Sequence, residues 1–137
     1  MSRNKFSVEN FNIVNYMNFL QKKSKNGAKI KRLKPQERVI YLISEFEAEV
    51  NNGGFDQFFI NETSNYASET IECLAAINAQ YTANLLRKAI DIIAGAKTED
   101  DLPLIEKQLD ELDDKFYEYN DNLEKLQIEY IFSNKLV

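Results

Sequence analysis

An all-α fold of about six to seven helices is predicted by three observations in this 137-residue chain. Apolar residues recur at three- and four-residue steps through most of its length, alternating strand patterns are missing, and Val, Thr and Trp are scarce. Apolar residues make up 44% of the chain, enough for one core and too few for two ordinary domains, so a single domain over residues 1–137 is expected. With only 4 Gly and 2 Pro, linker-like and disordered classes fit poorly.

The first helix is expected over about residues 8–22, with Phe11, Val14, Met17, Phe19 and Leu20 on its apolar side. Residues 22–34 are rich in Lys, punctuated by Ser, Asn and Gly, and read as a solvated basic connection. A second helix begins at Pro35, whose missing N–H costs nothing in a first turn, and carries Val39, Ile40, Leu42, Ile43 and Phe46 inward. It should stop at Asn51-Asn52-Gly53-Gly54, residue types that tolerate the left-handed backbone closing a helix. A short helix with Phe55, Phe58 and Phe59 wedged into the core follows. Further helices are expected over about 67–79, around Cys73, and about 82–94, with Gly95 as the C-terminal cap.

In the last third, Leu102, Ile105, Leu109, Leu112, Phe116, Tyr119, Leu123, Leu126 and Tyr130 alternate three- and four-residue steps, the seam of a helix packed along one stripe. Asp100 or Asp101 can cap its start. Asn120-Asp121-Asn122 are poor helix formers, so the pattern leaves open one continuous helix or two antiparallel ones over about 101–134.

Histidine is absent, which removes the commonest general base, the Ser-His and Cys-His nucleophile pairs and every His-ligated metal site. The single cysteine, Cys73, forms no intramolecular disulfide and reads as a buried small hydrophobe, which points to a reducing, cytoplasmic setting. No apolar run approaches the ~18 residues of a membrane span, and the basic start is not followed by a hydrophobic signal region, so no membrane partner is expected.

Charge is split along the chain. Residues 1–38 carry 10 Lys and Arg against Glu9 and Glu37, a net of +8, and residues 39–137 carry a net of −13. From Glu99 to Glu129 there are 12 Asp and Glu against Lys107, Lys115 and Lys125. Glu111, Asp114, Glu118 and Asp121 form one row at helical spacing, and Glu106, Asp110 and Asp113 form a second. Such rows set carboxylates about 5 to 6 Å apart along a helix axis, comparable with charge spacing on a nucleic-acid strand. A basic DNA-binding groove could accept this face, against the plainer reading of a solvated face that aids solubility.

Other candidates point to structure. The segment Glu49 to Asn61 lacks the alternating carboxylates and distal Glu of a calcium loop. Its asparagines Asn51 and Asn52 read as caps, Gly53 and Gly54 as the turn, and Phe55, Gln57, Phe58 and Phe59 as a packing signature. The pairs Glu45/Glu49 and Asp110/Asp114 lie one helical turn apart, the spacing of two carboxylates for hydrolysis but also an ordinary surface pattern. With no phosphate loop and no nucleophile motif, no enzyme, metal or cofactor is expected.

Three segments carry a resemblance: Leu33-Lys34-Pro35-Gln36-Glu37-Arg38-Val39-Ile40-Tyr41, the run from Glu47 through Asn51-Asn52-Gly53-Gly54-Phe55-Asp56-Gln57-Phe58-Phe59 to Asn61, and Leu109 to Tyr117 followed by Tyr130-Ile131. Together they resemble a bacterial DNA-mimic protein domain family, over about residues 33–134. The resemblance implies an all-helical fold, no cofactor, no demonstrated catalysis, a dimer, and a DNA-binding protein such as a transcription regulator as partner.

The leading reading is a non-enzymatic regulatory or interaction protein whose acidic C-terminal helices bind a DNA-binding or other basic protein. Two alternatives stay open: direct nucleic-acid binding through residues 22–38, disfavoured because no aromatic is interleaved for base stacking, and an immunity- or scaffold-type protein-binding module. Tyr119, Tyr130, Ile131 and Phe132 offer more aromatic surface than a small bundle easily covers, which predicts a homodimer.

Overall fold

The computed structural model describes residues 11–137, so residues 8–10 of the expected first helix, and Arg3 and Lys5, lie outside the described residues. Among the described residues there are six α-helices and no strand: α1 (Ile13–Lys23), α2 (Pro35–Ile60), α3 (Ala67–Ala76), α4 (Gln80–Ala94), α5 (Leu102–Tyr117) and α6 (Leu123–Ser133). Short 3-10 turns at Ile30–Arg32, Glu62–Tyr66 and Glu99–Asp101 join them. No helix among the described residues is long and apolar enough to cross a membrane.

The Asn12 side chain caps α1 by accepting from the Val14 and Asn15 amides at 2.8 and 3.2 Å. Its buried residues are Tyr16 and Leu20, one turn apart. Val14 and Phe19, expected on the apolar side, are instead exposed. Val14 sits half a turn from Tyr16, so the helix cannot bury both against α2.

Helix α2 is the axis of the fold, with α1, α3, α5 and α6 packed around it. Being surrounded, it buries Ile40, Tyr41, Leu42, Ile43, Phe46 and Val50 on more than one face. The expected stop at Asn51-Asn52-Gly53-Gly54 is a kink within this element. Gly53 (φ −154°, ψ 20°) and Gly54 (φ 75°, ψ −176°) leave the helical region, and helix then resumes to Ile60. The positive φ at Gly54 suits a residue without Cβ. The resumed turns carry Phe55 and Phe58 to full burial, where Phe46 meets Phe58 edge-on at 5.1 Å and Phe116 at 5.6 Å. Burying each ring stabilises the fold by about 1.5–3 kcal/mol.

Helix α3 ends before the expected residue 79, because Asn78 turns left-handed (φ 70°) and the Ala79 amide donates back to the Leu74 carbonyl at 2.8 Å. Cys73 within it is buried, and burial pushes its thiol up to about 12. Gly95 does follow α4, but at φ −80°, so it closes the helix through its amide bond to the Asp91 carbonyl without a left-handed turn. Asp101 precedes α5, yet its carboxylate accepts from the Lys97 and Thr98 amides (2.9 and 3.1 Å), so it ties the preceding turn instead of capping α5.

The C-terminal pattern resolves into two helices. The reversal begins at Tyr119, whose φ of 50° is held by its side chain: the hydroxyl donates to Glu47 Oε2 and accepts from Asn51 Nδ2, both at 2.7 Å. Asn122 then caps α6 by accepting from the Lys125 amide at 3.1 Å. Ile105, Leu109, Leu112, Phe116 and Leu123 of the seam are buried, whereas Leu102 is 47% exposed. Ile131 is fully buried, Tyr119, Tyr130 and Phe132 are half-buried, and Phe132 packs edge-on against Phe11 at 5.1 Å. The aromatic surface that predicts a homodimer is therefore largely packed within one chain.

Candidate acidic interface

The seven carboxylates expected to form one binding face divide by environment. Glu106, Asp110, Glu111, Asp114 and Glu118 are exposed on α5 and its C-terminal end. Asp113 and Asp121 turn inward. Asp121 stands beyond the break after Tyr117 and accepts from the Thr82 amide (2.8 Å) and hydroxyl (2.9 Å), closing the N-terminal turn of α4. Asp113 Oδ1 accepts from the Phe55 amide at 2.8 Å, taking the amide exposed where α2 restarts after its kink.

Position along α5 sets the character of its two flanks. Toward α4, Glu111 shares a groove of about 400 Å³ with Lys88, Lys115 and Asp91, so charge there is mixed. Toward the kink of α2, Asp113 is surrounded by carboxylates. Burial pushes its carboxyl up, the Phe55 bond opposes that shift, and Asp110, Asp56 and Asp114 add to it through repulsion. Burial and the same negative field, from Asp113 and Asp114, raise Tyr117, whose hydroxyl donates to the Val50 carbonyl at 2.8 Å. Among the described residues only Lys23–Glu37 and Arg38–Glu69 form ion pairs, so none of these carboxylates is neutralised by a close cation.

Asp56 also belongs to this face, although its sequence position gives no sign of it. It lies in the signature, which reads as turn and packing, and only the approach of α5 to the kink brings it beside Asp113. That approach is close: a Cβ on Gly54 would stand 2.9 Å from Asp113 Cγ.

The rest of the signature forms a local lock. Gln57 Nε2 donates to Glu49 Oε1 at 3.2 Å, Asn52 Nδ2 donates to Gln57 Oε1 at 3.1 Å, and Asn61 Nδ2 donates to Glu49 Oε2. These bonds staple the two halves of α2 across Gly53 and Gly54. Asn51 instead reaches Tyr119, and with Glu47 and Gln127 completes a second polar cluster between α2 and α6. Burial pushes the Glu47 carboxyl up, against the hydrogen bonds from Tyr119 and Gln127.

The carboxylate pairs weighed for hydrolysis do not converge on an open site. Glu45 is held by Gln21, Glu49 lies inside the lock, and Asp110 and Asp114 stand on the acidic flank. No group of three or more Cys, Asp or Glu side chains among the described residues is arranged to hold a metal ion.

Neither a curated protein nor a solved structure matches the chain. Residues 31–134, well over half of the chain, match the sequence model of the DMP19-like proteins, the DNA-mimic family that the central signature resembles, and the chain belongs to that family.

Proposed function

We propose that this protein is a non-enzymatic interaction protein that uses the kink-side flank of α5 to occupy the basic surface of a DNA-binding protein. The observation that carries the reading is the gathering of Asp56, Asp110 and Asp114 around Asp113 at one helix break, where Asp113 is held against the Phe55 amide and no ion pair among the described residues reaches any of the four. Glu118 and Glu106 extend the field along α5, and Glu111 belongs to its mixed flank. Membership in the DMP19-like family supports the same reading.

The surface is built on rigid elements. Phe116 and Leu109 anchor α5 in the core, and the Asp113–Phe55 bond fixes it to the kink. A preorganised acidic surface steers a basic partner at long range and loses little entropy on contact. The proposal is tested by affinity capture from lysate with the wild-type chain and with Asp56→Asn/Asp110→Asn/Asp114→Asn. Retention of a DNA-binding protein by the wild type, its release by competing duplex DNA and its loss from the variant are expected. Equal retention by both proteins, or insensitivity to duplex DNA, contradicts the proposal.

A further inference from the structure

The basic segment is an ordered platform. Lys25 and Asn26 adopt left-handed conformations (φ 51° and 57°), followed by Gly27 at 90°. The Asn26 amide donates to the Gln21 carbonyl at 2.8 Å, the Lys29 amide to the Ser24 carbonyl at 2.7 Å, and the Gly27 amide to Ser24 Oγ at 3.2 Å. Ser24, Ile30 and Leu33 are buried beneath it. The loop thus holds its shape through internal bonds while Lys22, Lys25, Lys29, Lys31, Arg32 and Lys34 stay exposed, none of them ion-paired among the described residues.

The fold also supplies what the local sequence lacks, an aromatic group. Tyr66, from the turn after α2, joins Lys29, Ile30, Lys31 and Arg32 in lining a cavity of about 500 Å³. Its ring is braced by the Arg38 guanidinium 5.3 Å from the centroid, and Arg38 is itself clamped by Glu69 through two bonds of 2.7 and 2.8 Å. Cations for phosphates beside a fixed aromatic surface for a base are the two components of single-strand recognition. The cavity lies within the size range of small-ligand sites, about 300–1,000 Å³. Glu62 lines only the adjoining cavity, which shares Gly27, Ala28, Ile30 and Tyr66 with this one, whereas Lys29, Lys31 and Arg32 line only the first, so a polyanion is favoured there.

We propose that this patch binds single-stranded nucleic acid, with Lys29, Lys31 and Arg32 on backbone phosphates and Tyr66 against a base. An acidic protein or an anionic membrane would use the cations but has no use for the braced ring. The surface shares no residue with the acidic flank of α5, so this proposal stands independently of the DNA-mimic reading.

Fluorescence anisotropy of the full chain with labelled single-stranded DNA and RNA of about 12 nucleotides tests it. Saturable binding is expected, with log affinity falling linearly with log salt. The surface triple variant Lys29→Glu/Lys31→Glu/Arg32→Glu should bind at least about tenfold more weakly. An abasic oligonucleotide of equal length should lose about 5- to 150-fold, the range for one stacked base, and Tyr66→Phe should retain wild-type affinity. Tyr66→Ala should match the abasic loss; should that variant unfold, the abasic comparison decides the matter with the wild-type chain. No saturable binding at about 50 mM salt, equal affinity for abasic strand or inorganic polyphosphate, preference for duplex, or binding to anionic vesicles alone overturns the proposal.

Discussion

The Asp113 carboxylate accepts the Phe55 amide hydrogen at 2.8 Å, joining the middle of α5 to the point where α2 restarts after Gly54. One side chain therefore serves the fold and the acidic flank at once: it satisfies an amide that has no helical partner, and its charge contributes to the field around the kink.

Replacing Asp113 should separate it from its neighbours. Asp113→Ala leaves the Phe55 amide without its acceptor and should cost about 1–2 kcal/mol. Asp110→Asn and Asp114→Asn remove exposed charge from a repulsive cluster and should leave stability within about 0.5 kcal/mol or raise it. Urea denaturation of the three variants checks the contrast.

Gly54→Ala should be among the more damaging small substitutions in the chain. It forces an L-residue to φ 75° and drives a Cβ into the Asp113 carboxylate, so a loss of about 2 kcal/mol or more is expected. Gly53→Ala, at φ −154°, avoids the positive-φ strain; its Cβ would crowd Gln57 Cβ at 2.8 Å and push Gln57 aside, so it should cost less than Gly54→Ala though not nothing. Reversed ranking of their urea midpoints would contradict the kink geometry.

Asp121→Ala should destabilise the protein by about 0.5–2 kcal/mol through loss of the α4 cap while leaving partner capture unchanged. Thr82→Ala removes one of the two bonds that Asp121 accepts. A double-mutant cycle should therefore show strong coupling between the pair.

Glu47 gives the account a pH signature. Burial raises its folded pKa above the ordinary value of 4.5, with Glu124 adding to the shift and the Tyr119 and Gln127 bonds opposing it. The folded state thus binds the proton more tightly than the unfolded chain. The stability this contributes is fully present below pH 4.5 and is lost as pH rises through the raised folded value. Relative to Glu47→Gln, the wild type should be most favoured below pH 4.5 and lose that advantage toward neutrality. A gap that stays flat across that range in urea titrations would refute the assignment.

Periodicity made most helices legible, because the interval from Ile105 to Phe116 and the Pro35 start are local patterns. What the chain order hid is tertiary. Asp113 and Asp121 sit in rows that look uniformly exposed, yet contacts 58 and 39 residues away turn them inward. Tyr66 lies more than thirty residues from Lys31, so its place beside the basic loop had no local signal. Val14 and Tyr16 differ only in which face meets α2, a choice that apolar residues on both sides of α1 leave undetermined.

Competition with DNA bears most heavily on the mimicry reading. The captured DNA-binding protein, bound to a labelled duplex, is titrated with the wild-type chain and with Asp56→Asn/Asp110→Asn/Asp114→Asn. The wild type should release the duplex completely and competitively, with potency falling as salt rises, and the variant should release it poorly. A partner that keeps its duplex while binding this chain, or loses it equally to the neutralised variant, would show that the acidic flank does not occupy the DNA-binding surface.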